Sequence, residues 1–371
     1  MTTSGDGGQP QDRPCGELEL VHAFASGPMP TGVTVSRHGR VFVNFPRWGD
    51  DVPATVAELR DGQVVPYPDE RWNAGSGELA GRLVSVQSVV VDPADRLWLL
   101  DTGSPLFQVV KPGGPKLVCV DLATDTVTRV VRFEPDVALG TSYLNDVRFD
   151  LRKGEDGYAY LTDSSDKGPN GLVVADLATG QAWRRLHDDP STKAETPPGY
   201  LPLVEGRVFM ERPADGPPRP VTMGSDGIAI SADGSRLYYC PLMSRRLYSV
   251  CADALTDPAL GEVEVAATVR DEGDKGGAAD GLESDDAGRL YLTNWEHNAV
   301  LRRLPDGTTE TLVHDPRLLW PDTLSVTDGF VYVTANQLHR QARFQGGRDL
   351  RRYPYELFRV PIDAGPVRLL P

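Results

Sequence analysis

Histidine and cysteine are scarce in this chain, and their placing removes whole classes of chemistry. The six histidines, His22, His38, His187, His297, His314 and His339, are scattered, with no H-x-x-x-H pair. The four cysteines, Cys15, Cys119, Cys240 and Cys251, form no C-x-x-C pair and no zinc-like spacing. Cys119 sits in the apolar run Lys116–Asp121, so free, buried thiols are expected rather than disulfides. No G-x-S-x-G nucleophile elbow and no phosphate-cradling loop is present. No apolar run approaches the roughly 20 residues that span a bilayer.

Positive charge is also short. Thirty-eight Lys and Arg face 53 Asp and Glu, for a formal charge of −15. An acidic surface argues against nucleic acid and anionic membranes as partners and leaves a small molecule as the expected one. Met1–Pro14 is polar and lacks the basic-then-apolar order of a signal peptide. It reads as a disordered tail on a cytoplasmic protein, with residues 15–371 as one domain.

Turn formers are plentiful, with 38 Gly and 31 Pro, and strong helix patterns are absent. Six segments share one pattern: a small or acidic residue, an alternating apolar strand, a turn, and a second apolar strand. They are Thr31–Asn44, Ser88–Leu100, Asn145–Leu161, Ser225–Cys240, Ala279–Thr293 and Pro321–Thr334. The period is about 40 to 80 residues, enough for four short strands each. The fifth repeat spells them out as Gly281–Ser284, Arg289–Thr293, Ala299–Leu304 and Thr309–Val313. The fold expected is all-β, a six-bladed propeller of four-stranded blades. The last blade runs short of strands at the C-terminus. Glu17–Phe24 reads as a strand able to complete it and close the ring. Two stretches fit no blade: Asp188–Pro220, and Gln337–Pro354 with its five arginines. Long connections of this kind serve as lids or as plain excursions.

Hairpin geometry puts the start of each first strand and the end of each second strand at one rim. Asp146, Asp226, Asp280 and Asp322 hold the starts, with Asn145 and Ser225 beside the first two. Asn44, Asp101, Asp163, Asn294 and Asn336 hold the ends. Copies of an acid around one axis repel, which raises some carboxyl pKa values or recruits a cation. An oxygen-rich ring without histidine suits Ca²⁺ or Mg²⁺, and Asn145, Asp226 and Asp280 would be its ligands. Asp followed by Gly is also a common turn device, so some of these acids are expected to be structural. Trp295, His297 and His339 follow second strands and reach toward the same rim.

At these residues the chain resembles the yellow/major royal jelly protein family, from about Pro30 to Pro361. The motifs are Arg40-Val-Phe-Val-Asn-Phe-Pro-Arg-Trp48, Arg96-Leu-Trp-Leu-Leu-Asp-Thr-Gly103, Tyr143-Leu-Asn-Asp146, Gly224-Ser-Asp-Gly-Ile-Ala229, Tyr238-Tyr-Cys-Pro-Leu-Met-Ser-Arg-Arg-Leu-Tyr-Ser249 and Trp320-Pro-Asp-Thr323. The resemblance implies a six-bladed propeller that takes a small molecule at the channel mouth, either as a tautomerase of oxidised catechols or as a carrier. Insect members are secreted, and the polar start of this chain points to a bacterial, intracellular relative.

The function expected is an isomerase, tautomerase or cyclase of secondary metabolism, acting on an aromatic or enolisable compound. Asp146, Asp226, Asp280, Asp322 and His339 are its candidate catalytic groups, and Arg47 and His339 could steady an oxyanion. Arg47, Asp101, Asn145, Asp163, Asn294, Trp295, His297 and Asn336 are candidate substrate contacts. No redox cofactor is needed. The alternatives are a metal-assisted lactonase and a binding protein without catalysis. Lactonase propellers carry a glutamate at the start of blade 1, where this chain has Thr31 and Gly32.

Overall fold

A computed structural model describes residues 14–74, 76–195 and 199–371. The polar start read as a tail lies outside these residues up to position 13. Six four-stranded antiparallel sheets form the ring. Blade 1 is Val33–Val35, Val41–Asn44, Val56–Arg60 and Gln63–Pro66; blade 2 is Val86–Val91, Arg96–Asp101, Lys116–Asp121 and Thr126–Arg132. Blade 3 is Leu144–Asp150, Tyr158–Asp163, Gly171–Asp176 and Ala182–Arg185; blade 4 is Ser225–Ile230, Arg236–Pro241, Arg246–Cys251 and Arg270–Asp274. Blade 5 is Leu282–Ser284, Leu290–Asn294, Ala299–Arg303 and Thr309–His314.

Blade 6 takes Pro321–Thr327, Phe330–Ala335 and Tyr355–Pro361 from the C-terminal end, and Glu19–Phe24 from the N-terminal end as its outer strand. Glu19 pairs with Arg359 and Phe24 with Tyr355 across an antiparallel ladder. An ion pair of 2.6 Å between Arg359 and Glu19 adds to it. Phe24 is buried against Phe45, Tyr355 and Leu357, so the strand joins the blade 1–blade 6 core. The expected closure is therefore what the chain does, and the edge of Tyr355–Pro361 is covered.

The inner strands of blades 3 and 4, Leu144–Asp150 and Ser225–Ile230, are buried at every residue. Apolar faces of neighbouring blades press together outside them. Trp98 of blade 2 stacks on Phe149 of blade 3 with centroids 5.2 Å apart. Threonines of second strands tie one blade to the next: Thr162 Oγ1 donates to the Asp226 carbonyl at 2.7 Å, and Thr334 Oγ1 to the Thr31 carbonyl at 2.6 Å.

The Asp-Gly pairs at strand starts are not turns. A Cβ on Gly227 would stand 2.5 Å from the Asp280 carbonyl oxygen, and one on Gly281 would run into that of Asp322. Glycine is there so that adjacent inner strands can approach at the axis.

Both excursions fold over one mouth of the channel, here called the upper mouth. The first carries a small hairpin, Leu203–Val204 with Arg207–Val208. The second makes two single 3₁₀ turns, Leu338–Arg340 and Ala342–Phe344. The Arg212 N–H donates to the Arg343 carbonyl at 2.9 Å, and the Gly346 N–H to the Arg212 carbonyl at 2.8 Å. Phe209, Trp295, Trp320 and Phe344 are buried together beneath them. All four cysteines are free, but Cys15 is exposed and Cys251 only half-buried, so burial holds for Cys119 and Cys240 alone. Among the described residues no helix is long and apolar enough to cross a membrane.

Phe24→Ala should cost about 3–5 kcal/mol by leaving a cavity in the closing blade. Urea unfolding measures it. A loss under about 1 kcal/mol would mean that the N-terminal strand contributes little to closure.

Candidate active site

The upper mouth narrows to a cavity of about 20 Å³, room for about one water. Asp226, Asp280 and Asp322 form its acidic wall, from three successive blades. All three are buried. The Asp226 and Asp280 carboxyls hydrogen-bond each other. The Trp320 indole N–H donates to Asp280 at 2.7 Å. Asn336 donates to Asp322 at 2.5 Å, and Thr323 Oγ1 donates at 3.2 Å.

Burial penalises each ionised form. It is the main reason that Asp226 and Asp322 are held well above the ordinary carboxylate range, with their acidic neighbours adding repulsion. Burial also lifts Asp280, to about 6, against the hydrogen bonds from Trp320 and Asp226. Asp226 and Asp280 thus share a proton and titrate as a unit. Asp226 is its natural holder, and Asp280 the partner that ionises first.

Asp146 behaves differently. It accepts from Ser88 Oγ at 2.6 Å and pairs with Arg148 at 3.0 Å. Arg148 crosses the channel to Glu283, 3.2 Å away, and donates to the Leu282 carbonyl at 2.6 Å. This bolt separates the acid pair from the other mouth, where a cavity of about 300 Å³ opens. Asp146 therefore sits behind the acidic wall as one end of an ion-pair chain.

The opposite wall is aromatic. Trp48, Phe107 and Tyr143 stack in series, with centroids 5.1 and 4.7 Å apart. The Tyr143 hydroxyl accepts from Trp48 Nε1 at 2.7 Å and donates to Gln87 Oε1 at 2.9 Å. Burial raises its pKa well above the ordinary value, so it stays a phenol. Arg343, from the second excursion, closes the top, its guanidinium 4.9 Å from the Phe107 ring centre. Glu211 holds it at 2.7 Å and Asp166 at 3.3 Å.

Of the residues singled out from sequence, Asn145, Asp226, Asp280 and Asp322 meet in the cavity. The strand-end residues do not; they staple the incoming chain. Asp101 accepts from the N–H groups of Val84 and Ser85 at 2.6 and 2.9 Å and binds Lys116 at 2.8 Å. Asp163 accepts from Ser142 and the Tyr143 N–H and binds Arg184 at 2.8 Å. Asn294 donates to the Gly276 carbonyl and Asn336 supports Asp322. Arg47 donates to the carbonyls of Val84 and Leu83, away from the cavity. Trp295 stacks under Trp320 at 4.4 Å. His297 lines a separate outer cleft, and His339 turns from the acids to Glu205, 2.7 Å away. Asp101, Asp163 and Asn294 miss the cavity because a second strand ends one layer farther from the axis than the first strand begins.

The cation reading meets the same test. Asn145 donates to Ser164 Oγ at 3.1 Å, and the Asp226 and Asp280 oxygens are engaged with each other and with Trp320. Among the described residues no three His, Cys, Asp or Glu side chains are grouped to hold a metal ion. The set does not fit a ready metal cage.

The model of the major royal jelly protein family matches residues 84–362. The chain belongs to that family. Protein yellow of Drosophila subobscura is 29% identical over 259 residues, 63% of this chain and 42% of that protein. The chain thus spans less than half the length of this relative. Two solved propellers are alike in fold. A calcium-binding regucalcin from Agrobacterium tumefaciens has a TM-score of 0.56 at 14% identity, covering 94% of this chain and 95% of its own. A gluconolactonase from Xanthomonas campestris has 0.52 at 14%, covering 93% and 91%.

The acid pair fixes a sign for stability. A carboxyl whose folded pKa is raised binds a proton that the unfolded chain has already released. Between about pH 4 and 6, stability falls as pH rises through the Asp280 window, then levels. Asp226 and Asp322 extend the fall to higher pH. Asp280→Asn should therefore gain on the wild type by on the order of 1–3 kcal/mol between pH 4.5 and 7. Urea titrations at both pH values measure the gain. An unchanged difference would mean that Asp280 titrates as an ordinary surface acid.

Proposed function

We propose that this protein is an acid–base enzyme of the isomerase or tautomerase kind, acting on a flat, enolisable small molecule. The observation that carries the reading is the proton-sharing pair Asp226–Asp280 facing the Trp48–Phe107–Tyr143 stack. One carboxyl of such a pair can take a proton from carbon while another delivers one to oxygen, with no net change in the enzyme. Asp280 suits the base, since it ionises first. Asp226 and Asp322 suit the acid, since they hold their protons. Arg343 and the Tyr143 phenol suit a developing enolate oxygen. Aromatic walls suit a planar substrate.

The cavity is too small for such a substrate as it stands. Binding must lift the cover made by Phe107 and the Gln341–Phe344 turn, a motion of the kind that gates many enzymes. The partner proposed is a small metabolite, not nucleic acid or a membrane. A cytoplasmic setting and a role in secondary metabolism belong to the same proposal. A lactonase-like hydrolase aided by a divalent cation is the second reading. The regucalcin and gluconolactonase likeness supports it in fold alone.

Proton exchange tests the choice. A panel of enolisable aromatic ketones in deuterated buffer, followed by NMR, should show enzyme-dependent exchange at carbon. Asp280→Asn should lower the rate by about 10²–10⁴-fold, the usual weight of a positioned base. Binding without exchange in the wild type would make the protein a carrier. Lactone hydrolysis that needs added Ca²⁺ would favour the second reading.

A further inference from the structure

A further cavity, of about 170 Å³, lies between the two excursions and outside the acid pair. Arg207, Arg212 and Arg340 line it, and Glu205 is its one carboxylate. Glu205 is engaged: it binds Arg340 at 2.9 Å and His339 at 2.7 Å. The Arg207 guanidinium bonds the Gln345 side chain, at 3.2 Å. Arg212 donates to the carbonyls of Val208, at 2.7 Å, and Met210, at 3.4 Å. Among the described residues neither arginine has a carboxylate partner. Burial lowers the Arg212 pKa, and the neighbouring charge of Arg207 adds to the effect.

His339 supplies an independent sign. It is 1% exposed, and among the described residues its Nδ1 has no hydrogen-bond partner. Nε2 faces a carboxylate and so carries a proton, which leaves Nδ1 without one, in a residue that borders the cavity. A buried polar atom without a partner is costly unless something else meets it. In a chain of formal charge −15, a pocket with three guanidinium groups and one carboxylate is an exception.

We propose that this cavity is a binding site for a phosphate group, held by Arg207 and Arg212, with Arg340 beside them. Guanidinium forks match tetrahedral oxyanions. Bound there, the phosphate group would join the Leu203–Val208 hairpin to the Leu338–Arg340 turn. Both excursions belong to the cover of the upper mouth. The group could come from free phosphate or from a phosphate monoester.

Isothermal titration of the full chain with sodium phosphate and, separately, with glycerol phosphate tests this, at constant ionic strength against chloride and acetate. Saturable binding of either phosphate probe, with neither control competing, is expected. Tighter binding of the ester assigns the site to a metabolite; equal binding assigns it to the ion. Arg207→Gln, at the exposed hairpin, and Arg212→Gln should each weaken binding about tenfold or more, with the fold checked by circular dichroism. No saturable binding in the wild type would overturn the proposal. So would binding that survives in Arg207→Gln, the variant least able to disturb folding.

Discussion

The pairing of Glu19–Phe24 with Tyr355–Pro361 holds the ring shut, and the chemistry at its axis depends on that closure. An open ring could relax and let the inner strands drift apart. A shut one forces the starts of the strands in blades 4, 5 and 6 together. Gly227 and Gly281 show how tight that approach is, since neither position has room for a Cβ. Three carboxyls then have nowhere to go but toward each other, out of reach of bulk water. Asp226 and Asp322 answer by keeping their protons, and Asp280 ionises only near pH 6.

A crowded acid cluster is a cost to the fold, and the neighbours are arranged to hold it. Trp320, Asn336 and Thr323 each give a hydrogen bond to one member, and Arg148 neutralises Asp146 on the far side. Trp320 is itself clamped between Trp295 and His339, which ties the cluster to the excursions above it. Structural and chemical roles are therefore hard to separate here. Loosening the cover would also loosen a support of Asp280.

Much of this was legible in the sequence, because radial repetition turns equivalent positions into neighbours. Six repeats with a small or acidic residue ahead of each first strand were enough to predict the propeller and the meeting of Asp226, Asp280 and Asp322. The same reasoning overreached at Asp101, Asp163 and Asn294, since a shared rim does not mean a shared radius. It weighed Asp-Gly as a turn device beside the shared site and did not see the close approach of strands, which leaves no mark within one blade. The aromatic wall was harder to see. Trp48 and Tyr143 stood in motifs that marked family likeness but assigned no direction, and Phe107 lies in an irregular loop with no period to read. Arg343 was visible only as one of five arginines in an excursion.

The central claim is that a buried carboxyl pair keeps a proton at neutral pH. Infrared spectroscopy reads this directly, because a protonated carboxyl has a carbonyl stretch that a carboxylate lacks. The account predicts such a band at pH 7 in the wild type, lost or shifted in Asp226→Asn and retained in Asp101→Asn. A spectrum without any protonated carboxyl band at pH 7, or one that Asp226→Asn leaves untouched, would contradict it.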